Sequence, residues 1–161
     1  MPHFRSHHHI VAATIFLALG LPCRAPAAGP PADKAQHRAA SGHKLDHSGH
    51  ERVGKASYYS RKFAGRKMAN GKRMNPRRDI AASKTLPLGT TAKVTNLETG
   101  RSAVVTIEDR GPYVRGRIVD LSPATAEKIG LTPEAGVATV AVAPIEVPLP
   151  DGSVKPGAGA E

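Results

Sequence analysis

The chain of 161 residues has no tryptophan, a single cysteine and no histidine after residue 50. A single cysteine excludes an internal disulfide. The lack of histidine in residues 51–161 excludes Ser–His and Cys–His catalysis there, together with most zinc sites. Aromatic residues make up only 4% of the chain, so a core must use small aliphatic side chains. These shortages favour a small β-barrel packed with Val, Ile and Ala.

Acidic residues are also few: 13 Asp and Glu stand against 23 Lys and Arg, which gives a formal net charge of +10. A charge of this sign attracts polyanions such as nucleic acid, anionic lipid or an anionic cell-wall polymer. The charge alone does not choose among these partners. We expect no cofactor and no metal in the folded domain.

The N-terminus has the three-part pattern of a secretory signal peptide. An apolar run at 10–21 follows a short polar segment and precedes an A-x-A signature at 25–27. The run is too short to span a bilayer comfortably, so we expect residues 1–28 to be removed on export. Export argues against nucleic acid as a partner. The protein is expected to contact the membrane only if the signal segment stays uncleaved. Cys23 stands where a lipoprotein carries its acylated cysteine, but Pro22 before it disfavours lipid attachment.

The rest of the chain divides into three parts. Residues 29–52 are rich in His, Pro, Ala and charge without hydrophobic periodicity, which predicts a disordered linker; His43 and His47 could share a helix face, but a solvated tether is the simpler interpretation. Residues 53–147 carry strand and turn signals, and residues 148–161 read as a flexible tail. Strands are expected at 55–60, 91–96, 101–108, 116–121 and 137–142. One helix is expected at 123–129, with Ser122 as N-cap and Gly130 at its end.

Two aspartates mark the ends of a strand–turn–strand unit. An alternating apolar strand runs into Asp109, a turn with Gly111, Pro112 and Gly116 follows, and the chain returns through a second strand to Asp120. This arrangement can place both acids at one rim of a small β-structure. Carboxylates at such a rim are typical of sites that cleave polymers.

A set of short motifs, all in one order, resembles the rare lipoprotein A (RlpA) family of bacterial septal lytic transglycosylases. They are Gly54-Lys55-Ala56-Ser57-Tyr58-Tyr59, Ala69-Asn70-Gly71, Ala81-Ala82, Leu86-Pro87-Leu88-Gly89-Thr90, Val94-Thr95-Asn96-Leu97, Gly100-Arg101-Ser102, Asp109-Arg110-Gly111-Pro112 and Arg117-Ile118-Val119-Asp120-Leu121-Ser122. The resemblance implies a mainly β fold, a six-stranded double-psi β-barrel with one or two short helices. It also implies a periplasmic or cell-envelope location, peptidoglycan glycan strands as substrate, and division or envelope proteins as further partners.

In such an enzyme the muramoyl C6 hydroxyl, rather than water, captures the anomeric carbon and leaves a 1,6-anhydro end. One carboxyl group can serve first as acid and then as base in this reaction, and Asp109 is the candidate. The alternative for Asp109 is a turn cap that accepts backbone N–H bonds. Asp120 is expected to hold Arg117 or a backbone amide, and strand alternation sends Glu108 to the face opposite Asp109.

Substrate contacts are expected from residues on these same motifs. Aromatic rings stack on sugar faces, and basic side chains can meet the carboxylates of muramoyl groups. The stretch 61–78 adds eight Lys and Arg residues without one acid, which indicates either a basic groove or a solvated loop. The predicted contact residues are Tyr58, Tyr59, Asn70, Arg110, Tyr113, Arg117 and Asp120.

Three positions depart from the family pattern, because Lys72, Asn75 and Ser83 stand where the family usually has Glu, Asp and His. These departures favour a second hypothesis, a peptidoglycan-binding module that has lost catalysis. A third is an expansin-like protein that loosens the wall by binding without hydrolysis. The sequence does not separate the first two.

Overall fold

A computed structural model describes residues 44–160. They form seven strands, one α-helix and a 3-10 helical turn at Arg61–Phe63. The longer elements are β1 Arg52–Tyr58, β2 Ile80–Ala82, β3 Thr91–Asn96, β4 Ser102–Asp109, β5 Arg117–Leu121, α1 Pro123–Lys128, β6 Ala138–Pro148 and β7 Val154–Pro156.

Six of the strands close into a barrel. They follow one another in the order β1-β5-β2-β4-β3-β6, and β6 pairs back with β1. The pairs β1–β5 and β2–β4 are parallel, and the others are antiparallel. Since parallel neighbours cannot be joined by a tight hairpin, the chain returns to each of these pairs through a long crossing connection. This is the double-psi β-barrel that the resemblance implies, and the predicted fold class is confirmed.

The barrel interior is filled by small aliphatic side chains, as the scarcity of aromatics predicts. Alternate residues of β3 and β4 point inward, because successive side chains of a strand face opposite sides of the sheet. The central cluster consists of Ala56, Ala81, Leu86, Ala92, Val94, Val105, Ile107, Val119, Leu121, Ala126, Ile129, Leu131, Ala138, Val140 and Val142.

Local sequence signals predicted two elements correctly. Strands β3 and β4 pair around the turn at 97–100, where Gly100 takes a φ of +70° that glycine adopts without strain. Ser122 Oγ caps α1 by accepting the N–H of Thr125 at 3.2 Å, and Pro123 opens the helix. The helix follows β5 directly and packs Ala126 into the core, and Ile129, the residue that caps its C-terminal end, is also part of the core.

The expectation of a disordered linker up to residue 52 is wrong for residues 44–51, because they are hydrogen-bonded to the barrel. The backbone N–H of Asp46 donates to Thr85 O at 2.7 Å. The ring Nδ1 of His47 donates to Pro148 O at 3.0 Å. The polar composition indicated disorder here, but it does not reveal hydrogen bonds to distant parts of the chain such as Thr85 and Pro148.

The expectation of a flexible tail from residue 148 is also wrong for most of that segment. Strand β6 continues to Pro148, and β7 pairs with its end. Gly157 and Gly159 then lie against the backbone of Pro144 and Ala143, so closely that a Cβ atom at either glycine would lie within 2.6 Å of a carbonyl oxygen. Only glycine allows this approach, so the glycines that suggested a frayed end are packing residues.

The predicted signal peptide at 1–28, Cys23, the linker at 29–43 and His43 lie outside the described residues. His47 and His50 lie inside them, so the folded domain does contain imidazole groups. Among residues 44–160, no helix is both long and apolar enough to cross a membrane.

Removing both end segments should destabilise the barrel. Those segments also bind each other: the Ala158 N–H donates to Gly49 O, and Lys155 Nζ donates to Ser48 O, both at 2.9 Å. A fragment of residues 53–147 should melt at a lower temperature than residues 44–160. The shorter fragment loses at least four hydrogen bonds to the barrel, made by Asp46, Arg52, Gly157 and Gly159. At about 1 kcal/mol per bond we expect a loss of about 4 kcal/mol, and each kcal/mol lowers the Tm by roughly 4–8 °C. Equal Tm values for the two fragments in calorimetry would contradict this.

Candidate active site

A cleft of about 460 Å³ opens at one rim of the barrel. Its walls come from the end of β1, the segment 60–74, the end of β4 with the following turn, and β5. The cleft brings together seven of the eight residues that the sequence predicted for the site, namely Tyr58, Tyr59, Asp109, Arg110, Tyr113, Arg117 and Asp120.

Strand β2 determines how the two aspartates face each other. Ala82 pairs with Asp109 on parallel β4 and with Asp120 on antiparallel β5. The two acids therefore stand on either side of one alanine, with Cα atoms two strand spacings apart, about 10 Å. The small side chain of Ala82 lines the cleft between them.

Asp109 is held by three hydrogen bonds. Its Oδ1 accepts from the backbone N–H groups of Ala69 at 2.9 Å and Arg110 at 2.8 Å. Its Oδ2 accepts from the Tyr59 hydroxyl at 2.9 Å. Both oxygens are thus engaged, and the orientation of the carboxylate is fixed.

Asp120 is placed differently. Its Oδ2 accepts from Arg117 Nη2 at 3.0 Å, while its Oδ1 is buried and has no partner among residues 44–160. Burial raises the pKa of the Asp120 carboxyl above its ordinary value, the Arg117 guanidinium opposes that shift, and the Asp109 charge adds to it. Asp120 is therefore the cleft acid whose surroundings favour holding a proton.

Two tyrosines stand close to Asp109. Burial, followed by the charge of Asp109, raises the pKa of Tyr59, so its hydroxyl remains a hydrogen-bond donor. Burial also raises the pKa of Tyr113, which lies on the turn after β4 and is 42% exposed. The ring of Tyr113 is thus available at the edge of the cleft, whereas Tyr59 supports the carboxylate beneath.

Two of the arginines that line the cleft, Arg110 and Arg117, are engaged in hydrogen bonds to other parts of the barrel. Arg110 Nη1 donates to Ser83 O at 3.1 Å and to Leu86 O at 2.7 Å, and burial lowers its pKa. This guanidinium fastens the loop after β2 to the end of β4. The Arg117 guanidinium donates to Asp120. Asp109 is therefore bound by the backbone N–H of Arg110, while the hydrogen bonds of both guanidinium groups go to other acceptors.

A basic wall, defined by Lys62, Arg66 and Lys67, borders the cleft on the side of the segment after β1. The charged ends of Lys62 and Arg66 both lie 5.5 Å from the centre of the Phe63 ring. That ring meets Tyr59 edge-on, with centroids 5.8 Å apart. Phe63 is not among the predicted contact residues, although its position within the basic stretch at 61–78 was a usable signal.

The structure does not place Asn70 in the cleft. Its Oδ1 accepts the N–H of Lys72 at 2.9 Å, which closes a tight turn. The three departures from the family pattern also lie outside the cleft lining. Asn75 caps a turn at Arg77 N, and Ser83 Oγ accepts from Leu86 N.

Glu108 faces away from the cleft, as strand alternation predicted. Its side chain is buried and bound to Arg78. His47 and His50 do not line the cleft either. Within residues 44–160, no three His, Cys, Asp or Glu side chains are grouped closely enough to hold a metal ion.

Residues 51–142 match the family model described as lytic transglycolase. The match covers more than half of the chain, and the chain belongs to this family.

Several similar proteins carry the name endolytic peptidoglycan transglycosylase RlpA, and two of them illustrate the likeness. The one from Pasteurella multocida is 54% identical over 84 residues, which are 52% of this chain and 29% of the relative. The one from Vibrio cholerae is 47% identical over 97 residues, which are 60% of this chain and 36% of the relative. The chain thus spans about a third of the length of these relatives. The apo expansin of Clavibacter michiganensis is 21% identical, with a TM-score of 0.46 over 59% of this chain and 50% of that one.

Replacing Tyr59 by Phe should destabilise the fold through Asp109. The variant keeps the ring and its contact with Phe63 but removes the hydroxyl that donates to the carboxylate. A hydrogen bond to a charged group is worth about 1.5–3 kcal/mol, and we expect a loss of that order in urea unfolding. Tyr58→Phe is the matched control, with an expected change under about 0.5 kcal/mol. Equal effects of the two variants would contradict the role given to the Tyr59 hydroxyl.

Proposed function

We propose that this cleft cleaves the glycan strands of peptidoglycan as an endolytic transglycosylase. The observation that carries the proposal is the pair of carboxyl groups across Ala82, one fixed by three donors and the other buried with a raised pKa. Family membership and the names of the relatives support the same activity.

The reaction breaks the bond between the anomeric carbon of N-acetylmuramic acid and the oxygen of the following N-acetylglucosamine. An acid must protonate the departing oxygen. The oxygen of the C6 hydroxyl of the same muramoyl unit then bonds to the anomeric carbon. The proton of that hydroxyl goes to the carboxylate left by the acid, which restores the acid. A single carboxyl can perform both transfers, and no water is consumed.

Asp120 is the better placed of the two acids to carry this proton. Its raised pKa keeps a larger fraction protonated near neutral pH than an exposed aspartate would hold. Its Oδ1 is buried and has no protein partner within the described residues, and such burial favours the protonated form. The residue as a whole lines the cleft. This assignment differs from the sequence-based prediction, in which Asp109 carried the proton.

Asp109 keeps a catalytic role in this proposal. Positive charge develops on the sugar as the glycosidic bond breaks, and a fixed carboxylate stabilises it without having to reorient. Its charge also contributes to the raised pKa of Asp120.

Sugar binding is assigned to the edges of the cleft. Tyr58 and Tyr113 offer ring surface to the faces of the sugars. Lys62 and Lys67, on the basic wall, are placed to meet carboxylates of muramoyl groups or stem peptides. The site of action would be the cell envelope, which the leader pattern at 1–28 supports, and the division partners expected from the resemblance remain proposals.

The two aspartates should give different phenotypes when each is replaced by asparagine. Asp120→Asn should lower the release of anhydro-muropeptides from purified sacculi by about 10²–10⁴-fold, the usual contribution of a general acid–base group, with the fold intact. Asp109→Asn should lower activity as well and also lower the Tm, because the amide nitrogen cannot accept one of the three hydrogen bonds.

Asp151→Asn is the matched control, since this aspartate is exposed and, within residues 44–160, accepts its hydrogen bonds from Ser153. It should keep full activity. Wild-type activity in Asp120→Asn would remove that residue from the mechanism. An inactive wild type that still binds sacculi would favour the binding module.

The raised pKa of Asp120 predicts how activity and stability change with pH. Activity should fall as pH rises through that pKa, and Asp109→Asn should move the fall to lower pH, since the Asp109 charge is one cause of the shift.

Protonated Asp120 stabilises the fold below the ordinary aspartate pKa, and that stability is lost as pH rises through the folded-state pKa. The asparagine of Asp120→Asn cannot lose a proton, so the variant should not lose this stability. As pH rises from acid to neutral, the stability of Asp120→Asn should therefore increase relative to that of the wild type. NMR titration of the carboxyl groups measures the pKa, and urea unfolding at one acid and one neutral pH measures the stability. The same pH dependence of stability in the wild type and in Asp120→Asn would contradict the prediction.

A further inference from the structure

The segment between β1 and β2 forms one wall of the cleft, yet few apolar contacts hold it. Its tip is a turn in which Met68 N–H donates to Lys72 O at 2.8 Å, with a bridge between Lys67 and Arg73. Met68 and Met74 pack on Ile80 in a small cluster separate from the main core. We call residues 65–78 the cleft-wall loop. Its remaining anchors are polar.

Glu108 is buried beneath this loop. Its carboxylate accepts two hydrogen bonds from Arg78, at 2.8 and 3.2 Å, and lies 3.9 Å from Lys72 Nζ. The Glu108 side chain is 5% exposed, whereas Arg78 and Lys72 are 48% and 65% exposed. A carboxylate out of water is retained only when it is paired. Glu108 therefore draws two cations of the loop onto the barrel.

Two neighbouring residues at the end of β4 thus hold the loop from opposite faces. Glu108 binds it by its side chain and by its carbonyl, which accepts Asn70 N–H at 3.2 Å. Asp109 binds it from the cleft side through Ala69 N–H. If the loop shifts, the hydrogen bond from Ala69 N–H to Asp109 is lost. The loop residues that line the cleft, Lys67, Met68 and Met74, then move as well.

We propose that Glu108 is a positioning residue: through Arg78 and Lys72 it holds the cleft-wall loop in the place where Ala69 N–H fixes the Asp109 carboxylate. Glu108 itself does not reach the cleft. Its charge is the essential feature, since a neutral side chain of the same shape binds the two cations less strongly. For its effect on catalysis, the proposal rests on the proposed function.

The direct test is Glu108→Gln in the full chain, observed by NMR. Ala69 N–H and Arg110 N–H donate to the same Asp109 oxygen, so in the wild type the shifts of both amide protons should follow protonation of that carboxylate. In Glu108→Gln the Ala69 amide should lose this dependence while the Arg110 amide keeps it. Arg110 is thus an internal control within each sample.

Arg78→Lys breaks the two-pronged contact from the exposed side and should give the same result, which keeps the test available if Glu108→Gln fails to fold. Asp79→Asn is the matched control, because Asp79 pairs with Lys128 outside the loop. It should change neither amide. The proposal would be overturned if the Ala69 amide shift followed Asp109 protonation as strongly in Glu108→Gln and Arg78→Lys as it does in the wild type.

Activity gives a second arm. Glu108→Gln should reduce the rate of anhydro-muropeptide release at saturating substrate by at least about 10-fold, and Asp79→Asn should not. A lost Ala69 response with unchanged activity would refute the positioning role in catalysis. An inactive wild type would count against the proposed function, and the NMR arm would then decide on its own whether Glu108 holds the loop.

Discussion

The pairing of β2 between β4 and β5 is the constraint on which the cleft depends. Ala82 at the end of this three-residue strand takes Asp109 as its partner on one side and Asp120 on the other. The separation of the two carboxyl groups is therefore set by backbone hydrogen bonds rather than by loops. Strand β2 is buried at all three residues and pairs with a neighbour on each edge, so Ala82 has fixed partners on both sides.

The carboxyl groups of Asp109 and Asp120, on either side of β2, have different surroundings. Asp109 meets a loop amide, its neighbour's amide and a buried phenol, and its orientation is fixed. Asp120 has one arginine and one unpartnered buried oxygen within the described residues. The cleft-wall loop is part of the same arrangement, since it supplies one of the Asp109 donors and is itself held by Glu108. The basic character of the segment at 61–78 thus has a structural component, the anchoring by Lys72 and Arg78, besides its place beside the cleft.

The sequence predicted the elements that local signals define and missed those that distant contacts define. The β3–β4 hairpin and α1 are marked by their own turn and capping residues, so both were found. Strand β2 has no alternation to recognise, since Ile80, Ala81 and Ala82 are all buried, and its pairing joins segments far apart in the chain. Motifs identified Asp109 and Asp120, but the raised pKa of Asp120 depends on burial by other strands. Asn70 lies outside the cleft lining, and its Oδ1 closes a turn with the N–H of Lys72, a local contact that the motif alone does not reveal.

The central claim is that a glycan is cut by transfer to its own C6 hydroxyl inside this cleft, and the products test it most directly. Purified wild-type protein should be incubated with peptidoglycan sacculi and with peptide-free glycan strands, and the released fragments analysed by mass spectrometry. The account predicts new fragments that end in 1,6-anhydro-N-acetylmuramic acid, with no matching increase in reducing ends. Fragments that end in reducing N-acetylmuramic acid would show that water is the acceptor, and absence of release from both substrates would contradict catalysis.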